Sequence, residues 1–202
     1  NYKDDIIIVD DGSGEKYQPI FNELTNIRTD KLTILHHEVN KGKGRALKTA
    51  FQYIINNIKD SIGCITADSD GQHNHDSILK VFNALIQNPD SLIMGVRCFD
   101  GDDIPWKSVA GNKITIKVLS FLTGIRVSDT QTGLRGIPLK FMNELLEVPG
   151  ERFEFETQML IESVDRYLIV EVPIETIYDS KENHQSHFNP LKDSIKICAS
   201  WG

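Results

Sequence analysis

Asp68 and Asp70 follow directly on the apolar run Ile62, Gly63, Cys64, Ile65, Thr66, Ala67, so two carboxylates leave the end of a predicted buried strand two positions apart. In an extended or tightly turning segment, side chains at i and i+2 point the same way, and paired hard oxygen ligands suit Mg²⁺ or Mn²⁺ carrying a phosphorylated substrate. An ordinary acidic turn draws on the same residue types, because Asp and Gly populate turns freely. A second acidic tip, Asp10, Asp11, Gly12, Ser13, follows the apolar residues 6–9. It reads either as hydrogen-bond acceptors for a ligand or as a plain strand-to-helix turn.

Cations gather at Asn40, Lys41, Gly42, Lys43, Gly44, Arg45, just ahead of the most regular helical pattern in the chain. Backbone amides and positive charge at a helix N-terminus attract anions, while a glycine-softened helix start with solvated charges is the simpler reading. The segment is neither the G-x-x-x-x-G-K-[ST] phosphate loop nor the G-x-G-x-x-G dinucleotide turn. Arg97 closes another apolar run, 92–96, which aims it at the same end of the sheet as the aspartates, unless it pairs with Asp100 or Asp102 on the surface.

These residues need a scaffold, and the chain spells one out. Residues 6–9, 32–35, 62–67, 92–96 and 168–172 are short apolar runs, several rich in β-branched residues, and read as strands of a buried sheet. Between them, Ala46, Leu47, Ala50, Phe51, Ile54, Ile55 and Ile58 follow the 3.6-residue period. So do Ile78, Leu79, Val81, Phe82, Leu85 and Ile86, with Asp76 or Ser77 as the expected N-cap. Strand and helix alternate to about residue 96, which predicts parallel βαβ units with helices on both faces. Ligands of such sheets collect at the carboxyl ends of the strands, so both acidic tips should converge on one crevice. From 101 to 136 the alternation weakens. The polar stretch 178–190, with His184 and His187, reads as a surface loop before a last helix over 191–199.

With 202 residues, 40% of them hydrophobic, the chain is sized for one domain, 1–202, with a substantial core. A net charge of −7, from 29 acids against 22 Lys and Arg, argues against broad nucleic-acid binding. Cys64, Cys98 and Cys198 are odd in number and lack a C-x-x-C spacing, which fits a reducing compartment rather than a disulfide framework or a zinc site. No apolar run reaches the length of a membrane span, and Lys3, Asp4 and Asp5 stand where a signal peptide would be apolar.

Taken in order, Val9-Asp10-Asp11-Gly12-Ser13, Asn40-Lys41-Gly42-Lys43-Gly44, Asp68-x-Asp70-x-Gln72-His73, Gly95-Val96-Arg97 and Asp129-Thr130-Gln131-Thr132-Gly133-Leu134-Arg135 resemble glycosyltransferase family 2. The similarity is to the branch that makes dolichyl- and polyprenyl-phosphate mannose or glucose. Glu154-Phe155-Glu156-Thr157-Gln158-Met159, Glu171-Val172-Pro173-Ile174 and Ser186-His187-Phe188-Asn189-Pro190 carry it nearly to the end.

The resemblance implies an α/β GT-A fold, a Rossmann-like, mainly parallel mixed sheet with helices on both faces. It also implies a metal-dependent, inverting transfer of a hexose from a UDP- or GDP-sugar to a polyprenyl phosphate. By position, Asp10 and Asp11 would hold base and ribose, Lys43 would join the donor site, and Asp68, Asp70 and Gln72 would hold the metal. Arg97 would contact the acceptor phosphate; Asp129 would sit near the reacting sugar, positioning its hydroxyls or acting as base for a hydroxyl acceptor; Gln131 and Arg135 would assist on the acceptor side. Where relatives often place a second arginine, this chain has only Lys107 and Lys113, which lack the planar fork. Glu154, Glu156 and His187 are weaker candidates, since first-turn acids are favourable for local reasons and loop histidines are commonly solvated.

The resemblance further implies a first strand and helix ahead of residue 1, and without them the flank of strand 6–9 is expected to be open to association between copies. Ile114, Ile116, Val118, Leu119, Phe121 and Leu122, interleaved with Lys113 and Lys117, suit either a bilayer surface or a core. Work at the cytoplasmic face of a membrane is the matching expectation. Competing readings are a family 2 enzyme acting on a glycan hydroxyl, a non-catalytic sugar-nucleotide-binding module, and a haloacid-dehalogenase-like phosphatase using Asp68 as nucleophile. The last is disfavoured because Gln72 stands where threonine is usual. An EF-hand fails at His73, where the loop needs glycine.

Overall fold

The computed structural model describes residues 5–27, 31–97, 120, 124 and 127–175. The first sheet pairs β1 (Ile6–Asp10) with β2 (Leu32–His36) in parallel, Ile6 opposite Leu32 and Asp10 opposite His36. Between them runs α1 (Gln18–Ile27). Next come α2 (Lys43–Asn57), β3 (Gly63–Thr66), α3 (His75–Gln87) and β4 (Ser91–Arg97). β5 (Arg135–Pro138), α4 (Leu139–Leu145), α5 (Glu154–Ser163) and β6 (Leu168–Ile174) complete the described chain.

The second sheet has the order β3-β5-β4-β6. β4 and β6 are parallel; of the strands up to residue 97 whose alternation predicts parallel pairing, β1 and β2 pair so, whereas β3 and β4 do not meet. β5 departs from it: this short strand lies antiparallel between β3 and β4, Ile65 opposite Gly136 on one side and Ile93 opposite Gly136 on the other. Gly136 has room for both, because an added Cβ would already lie 3.0 Å from Ile93 Cβ.

β4 is buried on both faces, which explains its unbroken apolar sequence. Leu92, Met94 and Val96 face a core built with Phe51 and Ile54 of α2, Phe141, Met142 and Leu145 of α4, and Phe155, Met159 and Leu160 of α5. Ile93 turns the other way, onto Val81 and Leu85 of α3, Leu134 and Ile174. Helices therefore cover both sides of the sheet that carries the carboxyl-terminal acids. The expected cap of α3 moves: Asn74, not Asp76 or Ser77, accepts the Ser77 amide at 2.7 Å, which lets the helix begin at His75.

Candidate active site

β1 ends in Asp10, whose carboxylate accepts the Ser13 amide at 2.9 Å and faces His36 Nδ1 at 3.0 Å. Burial pushes this carboxyl up, but the bonds from Ser13 and His36 outweigh it and leave the group below its ordinary value. Asp11 reaches across to the next loop, accepting the amides of Lys41 and Gly42, each at 2.8 Å, with His37 Nδ1 at 2.7 Å. Its carboxyl, raised by burial, is brought below the ordinary range by His37, Lys41 and Gly42. The first acidic tip is thus the mooring of the 40–44 loop, a structural task beside the donor contacts expected of it.

That mooring places Lys43, the first residue of α2, over the second tip. Its Nζ lies 2.7 Å from Asp68 Oδ1 and 2.9 Å from Glu156 Oε2. The two acidic tips are therefore joined through one loop, as the strand-end argument predicts. α5 comes close enough to supply Glu156 because α2 begins without a side chain at Gly44, where an added Cβ would lie 2.7 Å from Phe155 Cβ. Arg45 fastens the same junction, its amide donating to Glu151 O at 2.9 Å and its Nη2 to Glu151 Oε1 at 2.6 Å.

On its far side Asp68 packs over Gly133. A Cβ there would stand 2.2 Å from Asp68 Oδ2, and Thr66 Oγ1 ties this loop to β3 by donating to Gly133 O at 2.9 Å. Asp70 is exposed and its Oδ1 accepts the Gln72 amide at 3.0 Å, which folds the turn that carries all three proposed ligands. A positive charge, the Lys43 ammonium, already rests on Asp68. Among the described residues no three His, Cys, Asp or Glu side chains gather closely enough to hold a metal ion by themselves. A pair of carboxylates with an amide is the donor set of an ion that keeps waters and shares substrate phosphates, as Mg²⁺ or Mn²⁺ does. The residues present fit such an ion.

His73 sits at the junction of the site. Burial lowers its pKa, Asp68 and Asp70 push it up, and Arg97 and Lys43 push it down, with a net lowering that keeps the ring neutral near pH 7. Its Nδ1 is a buried atom with no hydrogen-bond partner among the described residues.

On the other side of the crevice, Arg97 and Asp129 form a two-pronged ion pair, Nε to Oδ2 at 2.6 Å and Nη2 to Oδ1 at 2.9 Å. Asp129 is 0% exposed and also accepts the Gln131 amide at 3.0 Å. Ser128 ties the start of this loop to β6, its hydroxyl donating to Glu171 Oε2 at 2.7 Å. Arg135, expected on the acceptor side, is a correction. It is 1% exposed, with its guanidinium donating to Thr132 O at 3.0 Å, Glu156 O at 2.7 Å and Thr130 O at 3.2 Å, so it braces the loop against α5 from within.

Glu156, weak as a sequence candidate, is in the site, whereas Glu154 serves its own helix by accepting the Glu151 and Arg152 amides, both at 3.2 Å. Period alone could not separate two acids in one first turn. Asp100, Asp102, Lys107, Lys113, residues 114–119 and 121–122, the expected last helix, His184 and His187 lie outside the described residues, as does the Ser186 to Pro190 segment. Among the described residues no helix is long and apolar enough to cross a membrane.

A family model described as glycosyl transferase family 2 matches residues 1–146. The UDP-N-acetylglucosamine–dolichyl-phosphate N-acetylglucosaminyltransferase of Methanococcus voltae is 34% identical over 196 residues, an alignment covering 88% of this chain and 76% of the relative. The polyprenol monophosphomannose synthase of Mycolicibacterium smegmatis is 22% identical, with 98% and 76% covered. In fold, the chain is similar to the glucosyl-3-phosphoglycerate synthase of Mycobacterium tuberculosis solved with Mn²⁺, uridine diphosphate and glucosyl-3-phosphoglycerate, at a TM-score of 0.60 and 15% identity over 98% of this chain and 67% of that one.

Proposed function

The chain belongs to glycosyl transferase family 2, and from that premise we propose that it moves a hexose-type sugar from a nucleoside-diphosphate donor to a polyprenyl phosphate. Residues 1–202 are read as one catalytic domain. Lys43, Asp68, Asp70 and Gln72 form the donor side, with Asp10 and Asp11 at its base end. Asp68, Asp70 and Gln72 would hold Mg²⁺ or Mn²⁺. Such an ion neutralises the charge that develops on the departing nucleoside diphosphate. Lys43 adds a second positive charge beside it, and the missing side chain at Gly133 leaves the space that the Asp68 carboxylate occupies.

The acceptor class rests on one observation, the sealed carboxylate of Asp129. A hydroxyl acceptor needs a base to take its proton, and such a base must reach the proton with an accessible oxygen. Both oxygens of Asp129 are engaged by Arg97 and Gln131, and the side chain is closed to solvent. A lipid phosphate is ionised near pH 7 and attacks without help. Arg97, locked at the end of β4, supplies a fixed positive charge to orient it, with Gln131 on the same loop. The relatives at 34% and 22% identity carry dolichyl-phosphate and polyprenol in their names, in keeping with this reading. A lipid-phosphate acceptor puts the working enzyme at the cytoplasmic face of a membrane.

The test is a transfer screen on the full chain with UDP- and GDP-sugars, Mn²⁺ or Mg²⁺, and a short polyprenyl phosphate. Sugar should pass to the lipid phosphate, and Asp70→Asn should lower turnover by about 10²-fold or more. Transfer to free glycans but never to the lipid phosphate would overturn the acceptor assignment.

A further inference from the structure

Lys43 is shared. Its ammonium rests between Asp68 and Glu156 at 2.7 and 2.9 Å, with the Phe153 ring centroid 6.0 Å away. The oxygen it touches on Asp68 belongs to a carboxylate that the donor's metal also needs. Asp68 packs its carboxylate over Gly133 with Oδ2 nearer than Oδ1, 2.2 against 2.8 Å from an added Cβ, so the oxygen Lys43 holds is the one set further from that backbone. A metal–diphosphate that binds through Oδ1 loosens the Lys43–Asp68 contact.

Glu156 decides where the ammonium goes next. It stands on the first turn of α5, half-hidden, its carboxylate freed from helix capping by Glu154 and its backbone oxygen pinned by Arg135 Nη1 at 2.7 Å. An ammonium with a second anchored carboxylate gives up the first at lower cost than one left without a partner. We propose that Glu156 is a positioning residue: it retains Lys43 in the crevice when the metal–diphosphate takes Asp68, so that the ammonium turns from Asp68 to the donor phosphates.

This inference rests on the donor-site reading above, and its test separates the two. Mn²⁺ binding to the full chain is followed by electron paramagnetic resonance of the free ion, with and without UDP, for wild type, Lys43→Gln, Glu156→Gln and the double variant, with circular dichroism to confirm folding. Lys43→Gln should bind Mn²⁺ tighter without UDP, on the order of tenfold. Glu156→Gln should weaken it by a similar factor in the wild-type background and leave it unchanged in the Lys43→Gln background, while Glu156→Asp restores most of the loss. A Glu156→Gln effect of equal size in both backgrounds is simple charge attraction and overturns the inference alone. Absence of Mn²⁺ binding by wild type even with UDP overturns it together with the donor-site reading.

Discussion

The guanidinium of Arg97 and the carboxylate of Asp129 meet along both prongs, 2.6 and 2.9 Å, at the end of β4. The pair joins a strand end to a loop residue 32 positions later, so one contact sets both the charge and the shape of the proposed acceptor side. Removing Arg97 takes the counter-charge from the buried Asp129 carboxylate.

Arg97→Ala should therefore destabilise the fold by about 3–5 kcal/mol, and Arg97→Ala combined with Asp129→Asn should regain much of that. Urea denaturation of the three proteins measures it. Arg97→Lys keeps the charge without the fork, and should raise KM for the lipid phosphate more than KM for the donor.

Gly133→Ala forces a methyl group into the space of Asp68 Oδ2. The carboxylate must move, and Mn²⁺ affinity should fall by roughly 10- to 100-fold, as when the outer support of a metal ligand is lost. Calorimetric titration with Mn²⁺ and UDP reads the loss, while an unchanged circular dichroism spectrum shows that the fold has held.

Asp11 makes the 40–44 loop sensitive to acid. Its carboxyl lies below the ordinary aspartate value in the folded chain, so its stabilisation is complete above that ordinary value and is lost as pH falls through the depressed one. Asp11→Asn should lower stability at neutral pH by about 1.5–3 kcal/mol and flatten the acid limb of the stability curve. Denaturation midpoints between pH 2 and pH 7 would show both, and an acid limb as steep as that of wild type would count against the mooring role.

Arg135→Met leaves the carbonyls of Thr130, Thr132 and Glu156 without their donor inside the core. A stability loss of about 3 kcal/mol or more is expected. Arg135→Lys should recover little, because one ammonium cannot span three carbonyls set around a plane. A direct acceptor ligand would behave otherwise, with stability preserved and only the lipid-phosphate KM raised.

Much of the fold is legible in the amino-acid sequence. Runs such as 92–96 are apolar on every residue because β4 has a helix layer on each face, and the period of Phe51 and Ile54 marks α2 for the same reason. β5 carries no such signal: Arg-Gly-Ile-Pro is too short to show alternation, and its glycine and proline read as loop. Nothing local announces that a Gly is present to let two strands close around it. The site residues were recognisable by type and order, but their division of labour was not. Asp11 spends its oxygens on backbone amides, Arg135 points inward, and Glu156 rather than Glu154 turns to Lys43. Each outcome depends on which element lies opposite, information spread over a hundred residues of chain.

The antiparallel insertion of β5 sets an order of assembly. Strands 63–66 and 91–97 leave the ribosome early, yet in the folded sheet they do not pair with one another, and the segment that lies between them is made last of the three. Until residue 138 emerges, the halves of the crevice have no common sheet to hold them, and a nascent chain halted earlier carries an arm with Asp68 and an arm with Arg97 that have not met.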